Sequence, residues 1–526
     1  MTTKYIIVSG GVVSGLGKGI TASSIALLLK MHNFSVNVIK IDPYLNVDSG
    51  TMSPYEHGEC YILEDGSETD LDLGNYERFL ETNLTKQNSI TSGQIYKSVI
   101  DNERDGKYLG KTVQMVPHLT DEIIRRIEEP YMEYSYDFCV IELGGTVGDI
   151  ESSIYLEAIR QLSNITSVFH VHVSLIPRIG DEDKTKPTQT SIRMLMSKGI
   201  FPNMLVIRCK NTVKSNVLDK LSLFSNLCYK RIIQNVDVNS IYEVPELFVN
   251  QSVDKEILEY FKINKTNTNN ILVDYKLISN NLLNDTKKKI GIIGKYTGSN
   301  DTYLSIIRSI EHASYKLNTN IKIVFIDDEN ELYNVKSNLD GIIIPGGFGY
   351  RGCELKMKAI DFAYMLDIPI LGICLGFQLM IIYLFRNVIG LKNAYHGEWD
   401  EYNKLNLNLI FPIDKIEYVY KDENDKGMGG TMRLGSHKIN IKSGTLAYKL
   451  YKSSSIDERH RHRYGLVNKY KKLLEDDDIV ISGSSKETEI IELKSKKYFI
   501  GCQYHPEMKT RLSNPHPLFI GLIERL

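Results

Sequence analysis

No stretch of this sequence is long and apolar enough to cross a bilayer. One of the longer apolar runs, Leu379 to Phe385, is closed by Arg386 and falls far short of the roughly 20 residues a spanning helix needs. The N-terminus has no basic segment followed by a long apolar core, so no secretory leader is expected. Cysteine is scarce and odd in number. Seven cysteines scattered over 526 residues argue against a disulfide framework and for a reducing, cytoplasmic setting. Charge of one sign is missing too: 63 Lys and Arg against 65 Asp and Glu leave a formal net charge of −2. No broad positive field therefore points to a nucleic-acid partner, and no internal repeat is evident. Hydrophobic content of 42% and charged content of 24% are those of an ordinary soluble globular protein. The length predicts two to four domains.

Against that plain background, GGVVSGLGKGIT at residues 10 to 21 stands out. It follows the apolar run Tyr5 to Val8, which reads as a buried strand, and leads into SSIALLLK, which reads as a helix. Strand, glycine-rich turn and helix form the geometry in which backbone N–H groups cradle phosphates. Gly15, Gly17 and Gly19 let the backbone approach, and Lys18 supplies a point charge for β- and γ-phosphates. The match to G-x-x-x-x-G-K-[ST] is imperfect. Val12 stands where glycine is expected, and Gly19 stands where Ser or Thr would hold a metal. Taken alone, a glycine-rich turn without a ligand is the plain alternative. If the loop holds ATP, Mg²⁺ needs carboxylates from elsewhere.

Two stretches offer them. Residues 42 to 79 read as loop, rich in Gly and Asp; their carboxylates are either solvated surface or, with Asp72 the choice, a metal ligand. In YDFCVIELGGTVGDIES (136 to 152) an apolar strand delivers Glu142 at its end. That is the second metal-holding part of a P-loop enzyme, the alternative being a helix cap or surface acid. Further on, DEDKTKPTQTS (181 to 191) sets Lys184 and Lys186 among hydroxyl and amide groups. This is a solvated charge run or, near a nucleotide, a place for a second triphosphate.

Residues 262 to 289 shift to Asn, Lys and Thr and read as a linker. A new α/β unit opens at KIGIIGKY (289 to 296). In ILGICLGFQ (370 to 378) an apolar strand ends at Cys374 and a helix follows, the cysteine form of a nucleophile elbow. The helix N-terminus favours the thiolate, although a lone buried cysteine is usually inert core. YFIGCQYHPE (498 to 507) supplies His505 to take the thiol proton and Glu507 to orient the imidazole. The turn Gly346-Gly347 offers a backbone N–H which, with that of Leu375, would form an oxyanion hole. The basic run Arg459 to Arg463 alone reads as a solvated patch or an anion site.

In this order, GGVVSGLGKGIT, KIDPYLNVDSGTMSPYEHGE, ETDLDLGNYERF, LGKTVQMVPHLTDEI, IELGGTVGDIES, KTKPTQ and SIYEVP resemble the synthetase half of the CTP synthase family. PGG, GICLG and YHPE resemble a class I glutamine amidotransferase, and with GGTMRLG and ERHRHRYGLVN the glutaminase half of that same family. The resemblance implies two doubly wound parallel-sheet α/β domains. These are a P-loop synthetase over 1–265 and an amidotransferase over 289–526, joined by a linker at 266–288. It implies the reaction UTP + ATP + glutamine + water → CTP + ADP + phosphate + glutamate, with Mg²⁺, activation by GTP, inhibition by the product CTP, and a homotetramer.

By motif, the resemblance implies that Gly15, Leu16, Gly17, Lys18, Gly19, Ile20, Asp72, Val236, Asp237 and Val238 meet ATP, and that Asp72 and Glu142 hold Mg²⁺. Ser14, Lys184, Thr185, Lys186, Pro187, Thr188, Gln189 and Lys220 meet UTP, while Asp149, Ile150 and Glu151 join the CTP site. Glutamine meets Gly347, Leu375, Gly376, Phe377, Gln378, Glu398 and Arg463, with Cys374, His505 and Glu507 catalytic beside the synthetase's Lys18. The sequence departs from the family in three places. Phe377 replaces the usual Met; AYHGEWDEY (394 to 402) replaces a different pattern, so Glu398 rests on its spacing from Cys374; and Leu304 stands where some members carry a lysine linked to the GTP response. A cobyrinate-amidating P-loop enzyme would share the architecture, but KTKPTQ and PYLNVDSGTMSPYEHGE argue against it. A structural, filament-forming protein with degraded sites is argued against by the full set of catalytic residues.

Overall fold

The computed structural model describes residues 3–264, 267–273, 275, 287–295, 298–335, 338–399, 408–412 and 432–526. By internal contacts the chain forms two compact units. The first is Met1–Asp48 with Asn75–Asn280, and the second is Ser49–Gly74 with Asn281–Leu526.

The first unit is built on seven parallel strands: β1 (Lys4–Gly10), β2 (Val36–Asp42), β3 (Ser89–Thr91), β4 (Phe138–Leu143), β5 (Val168–Leu175), β6 (Met204–Cys209) and β7 (Ile232–Val236). Their order is β7-β6-β5-β1-β4-β2-β3. Successive side chains of a strand face opposite ways, so near-continuous apolar runs such as Tyr5–Val8 signal burial on both faces. Tyr5, Ile7, Ile39, Ile41, Cys139 and Ile141 enter one cluster with Ile123, Ile127, Leu156 and Ile159 from helices. Their neighbours Ile6, Val8, Val38 and Val140 are buried as well, and helix α1 (Lys18–Met31) packs on β1, β2 and β4. Each of these aliphatic side chains contributes about 1.5–3 kcal/mol on burial.

The second unit is built on a nine-stranded sheet of β8 (Lys287–Ile293), β9 (Asn320–Ile326), β10 (Gly341–Ile344), β11 (Ile370–Ile373), β12 (Arg433–Ile441), β13 (Ser455–His462), β14 (Ile479–Ser484), β15 (Thr488–Leu493) and β16 (Phe499–Cys502). The order is β9-β8-β10-β11-β16-β15-β14-β12-β13. The first five are parallel, and the pairs from β16 onward are antiparallel. The parallel α/β core is the expected one, and the antiparallel extension adds to it. The connections at residues 485–487 and 494–498, from β14 to β15 and from β15 to β16, are too short for a crossover helix. Alternation again serves both faces. Ile342, Ile344 and Ile370 meet the helices Cys353–Leu366 and Leu375–Asn387, while Ile343, Leu371 and Ile373 meet Leu304–Lys316 and Pro517–Ile523.

Residues 42–79 are more ordered than a loop. They hold a short helix (Pro54–His57), a hairpin (Tyr61–Ile62 with Glu68–Thr69) and the start of the helix Leu71–Leu80. Leu73, Tyr76 and Phe79, at helical spacing, are all buried there. Within the expected linker, Asn269 donates its N–H to Met31 O, and the Tyr275 hydroxyl bonds Phe79 O, both inside the first unit. Residues 276–286 lie outside the described residues. All seven cysteines are free thiols, and no described helix is long and apolar enough to cross a membrane.

Candidate active site

In the second unit the parallel strand β11 ends at Cys374, which begins the helix Leu375–Asn387. Its backbone sits at φ 52°, ψ −102°, a sparsely populated conformation of the kind stored at functional sites. The Cys374 N–H donates to Cys502 O at 2.8 Å, which fixes the elbow to β16. β16 also leads the chain to His505, whose Nδ1 lies 2.7 Å from Glu507 Oε1. That bond makes Nδ1 the donor and leaves Nε2 as the basic nitrogen. Nε2 is buried, and among the described residues it has no hydrogen-bond partner. Cys374 is its neighbour: a Cβ built on Gly346 would lie 3.0 Å from His505 Cε1 and 3.5 Å from Cys374 Cβ. Burial opposes charge on His505, but the Glu507 carboxylate and the Cys374 sulfur outweigh it and raise the imidazole from 6.5 to about 10. The arrangement favours an imidazolium beside the Cys374 sulfur.

A cavity of about 370 Å³ opens on these groups and is lined by Gly346, Gly347, Cys374, Arg463 and His505. Glu398 is half-buried. Burial raises its pKa, and a hydrogen bond from Gly349 with the charges of Lys295 and Arg463 pulls it back. Gln378 is engaged by protein groups: its Nε2 bonds Tyr464 O at 2.7 Å and Gln503 Oε1 at 3.2 Å, and its Oε1 lies 2.9 Å from His396 Nε2. Phe377 is fully buried in the core beneath the elbow.

The basic run of β13 is not a solvated patch. Arg459 is fully buried, with Nε 3.1 Å from Glu64 Oε1 and a guanidinium N–H on Tyr61 Oη and Ile62 O. Arg461 pairs with buried Glu68 at 2.9 Å and donates to Gly50 O, while its own carbonyl lies 3.7 Å from Cys374 Sγ. The carboxylates of Glu64 and Glu68 are therefore engaged by β13 rather than solvated. Gln503, overlooked in the sequence, reaches Cys374 Sγ at 3.9 Å. It lies two residues before His505, just past the end of β16, and nothing in the sequence marks it. Segment 429–435 is described only from Met432 onward.

The first unit gathers its polar residues at the C-terminal ends of the parallel strands, where ligands of such sheets bind. Gly17 caps α1 in the left-handed conformation (φ 80°), which glycine alone adopts without cost. Val12 also sits at positive φ, 86°. The loop thus keeps the backbone of the expected glycine, and the β-branched residue carries a strain of order 1–3 kcal/mol. Lys18 is buried and donates to Gly145 O at 2.9 Å, and Val147 N–H donates to Gly10 O. The turn that carries exposed Asp149, Ile150 and Glu151 therefore adjoins the phosphate loop. Glu142 is buried at the end of β4, with Lys40 Nζ at 3.0 Å and the Tyr76 hydroxyl on its other oxygen. Asp72 opens the helix Leu71–Leu80 and belongs to the second unit.

Thr185 caps the helix Lys186–Ser197, and Pro187 sits in its first turn. Thr188 is buried and donates to Leu175 O, and Gln189 bonds the Thr185 hydroxyl. Lys186 is exposed, with Ser14 exposed in the phosphate loop. Lys184 pairs with Glu182, whose carboxyl is held low first by that bond and also by Lys220. Val236 ends β7, and Asp237 pairs with Arg208 at 2.8 Å.

The family described as CTP synthase N-terminus matches residues 4–263, and the one described as glutamine amidotransferase class-I matches 299–525. A CTP synthase of Methanocaldococcus jannaschii is 44% identical over 539 aligned positions, covering 99% of this chain and 98% of that protein. The chain belongs to the CTP synthase family. A Bacillus subtilis member is 42% identical over 99% of this chain and 98% of its own length. The solved glutaminase domain of Trypanosoma brucei CTPS with bound acivicin is 30% identical, with a TM-score of 0.41, covering 45% of this chain and 93% of that one. As a member of the CTP synthase family, the chain pairs a synthetase domain with a glutamine amidotransferase domain.

Proposed function

We propose that this chain makes CTP: UTP + ATP + glutamine + water → CTP + ADP + phosphate + glutamate. The observation that carries this reading is a family match along the whole chain with both reactive centres intact: Cys374, His505 and Glu507 in one, and the Lys18 loop in the other. The synthetase is assigned to 1–265 and the amidotransferase to 289–526, with 266–288 between them.

Glutamine binds with its α-ammonium on Glu398 and its α-carboxylate on Arg463, by charge complementarity. The Cys374 thiolate attacks the amide carbon, and the N–H groups of Gly347 and Leu375 take the developing oxyanion. The imidazolium of His505 then protonates the departing ammonia while Glu507 keeps the ring oriented. Water hydrolyses the thioester to glutamate. In the synthetase, Lys18 and the loop N–H groups bind the ATP phosphates. Lys184, Lys186 and Lys220 bind UTP so that its 4-oxygen receives the γ-phosphoryl group, and ammonia displaces that phosphate. Ammonia is mostly protonated in neutral water, so it needs a sheltered path between the two centres.

Glu142 and Asp72 would hold Mg²⁺. A buried carboxylate whose oxygens now rest on Lys40 and Tyr76 suits a hard, oxygen-seeking cation. Among the described residues no three such side chains converge, in keeping with Mg²⁺ bound by one or two carboxylates plus phosphates. When bound it neutralises triphosphate charge. CTP would return to the site through Asp149, Ile150 and Glu151. A homotetramer, GTP activation and a cytoplasmic location complete the family reading, and buried Leu304 at the head of its helix predicts a weak GTP response. Incubation with UTP, ATP, Mg²⁺ and glutamine tests the reading. CTP should form, and its absence with both glutamine and ammonia would refute it.

A further inference from the structure

Behind the Gly346-Gly347 turn lies a buried lysine that the reaction leaves without a role. Lys356, on the helix Cys353–Leu366, is 1% exposed. Its Nζ donates to Pro345 O at 2.8 Å and reaches Gly346 O at 3.5 Å. Among the described residues no carboxylate pairs with it; the titratable groups facing it are Cys353, Lys295 and Cys374. Gly346, Gly347, Cys374 and His505 line the reaction cavity, and Lys356 does not.

The peptide between Gly346 and Gly347 is trans, so its C=O and N–H point in opposite directions. With Gly346 O turned to Lys356, the N–H of Gly347 points away from the lysine. Neither glycine has a Cβ to resist a flip of that peptide, so its orientation must be held from outside. A buried ammonium whose donors lack acceptors is costly. A flip would withdraw one carbonyl and aim an N–H at the cation, so the charge itself opposes it.

We propose that Lys356 is a positioning residue for glutamine hydrolysis, holding the Gly346–Gly347 peptide in the orientation that presents the Gly347 N–H to the oxyanion. The inference rests on the assignment of Cys374 as the glutaminase nucleophile. Loss of one oxyanion donor typically costs about 10²–10³-fold in kcat, and Lys356 acts through that donor.

Lys356→Met keeps the apolar stem and removes the charge and donors. In the full chain, kcat for glutamate release should fall by about 10²-fold or more, with KM little changed. Iodoacetamide should still alkylate Cys374, since that reaction needs no oxyanion hole, and ammonia-driven CTP formation should persist as the check on folding. Lys356→Arg, which keeps a cation and donors, should recover part of kcat. If the methionine variant does not fold, Lys356→Gln, one atom short of the carbonyls, carries the same expectations. An unchanged kcat, a defect confined to KM, or parallel loss of ammonia-driven synthesis in a folded variant overturns the proposal. Cys374→Ala, assayed alongside, separates the two claims. If it retains glutaminase activity the nucleophile assignment fails, whereas if it is inactive and Lys356→Met is not, only the positioning role falls.

Discussion

Replacing Gly376 by alanine probes how closely the nucleophile's helix is seated on the sheet. Gly376 is the second residue of the helix Leu375–Asn387. A Cβ there would lie 2.1 Å from Ile344 O and 2.9 Å from Ile344 C. Both are backbone atoms of the central strand β10, so no rotamer change relieves the contact. Restoring even 3.0 Å requires the helix and strand to part by about 1 Å. Overpacking of this kind costs about 1–3 kcal/mol in stability. It also moves the Leu375 N–H and Cys374 relative to the Gly346-Gly347 turn, and a misplacement of about 1 Å costs on the order of 10²-fold in rate. Urea unfolding reads the first effect, and glutamate release under saturating glutamine reads the second. Ammonia-driven CTP formation should be largely kept, because the synthetase chemistry lies elsewhere. Wild-type stability together with wild-type glutamate release in Gly376→Ala would refute the close seating.

The other expectations concern charge. His505 is raised from 6.5 to about 10, against burial, by Glu507 and Cys374. The stability this proton gives the fold is complete below about pH 6.5 and is lost as pH rises through about 10. Glu507→Gln should therefore lower Tm most at or below pH 6.5, and the deficit should shrink toward pH 10; a deficit independent of pH contradicts the linkage. Lys186→Ala should raise the UTP requirement far more than the ATP requirement, having removed a charge-assisted contact worth about 1.5–3 kcal/mol. An equal rise for both points to general damage. Lys18→Ala should stop ATP consumption and leave glutamine hydrolysis detectable, and continued ATP consumption would remove Lys18 from the ATP site.

Both centres were legible because each is written in a short contiguous pattern. A strand, a turn with small residues and a helix put Lys18 and Cys374 where they stand, and His505 and Glu507 are two residues apart. What escaped the sequence is long-range. Glu64 and Glu68 find Arg459 and Arg461 nearly four hundred residues away, and nothing periodic announces such a pairing. Residues 42–79 looked like loop because Gly and Asp recur throughout them, which hides the helical spacing of Leu73, Tyr76 and Phe79. Lys356 carries no signal in the sequence, since only the carbonyls of another segment reveal its burial.

On the proposed reading one chain carries two separable reactions joined by ammonia. Cys374→Ala separates them, with CTP formation measured once with glutamine and once with an ammonium salt at high pH. The thiolate acts only on glutamine, so CTP formation should vanish with glutamine and continue with ammonium. Normal synthesis from glutamine would contradict the amidotransferase assignment, and loss of both activities in a folded protein would contradict the division into two sites.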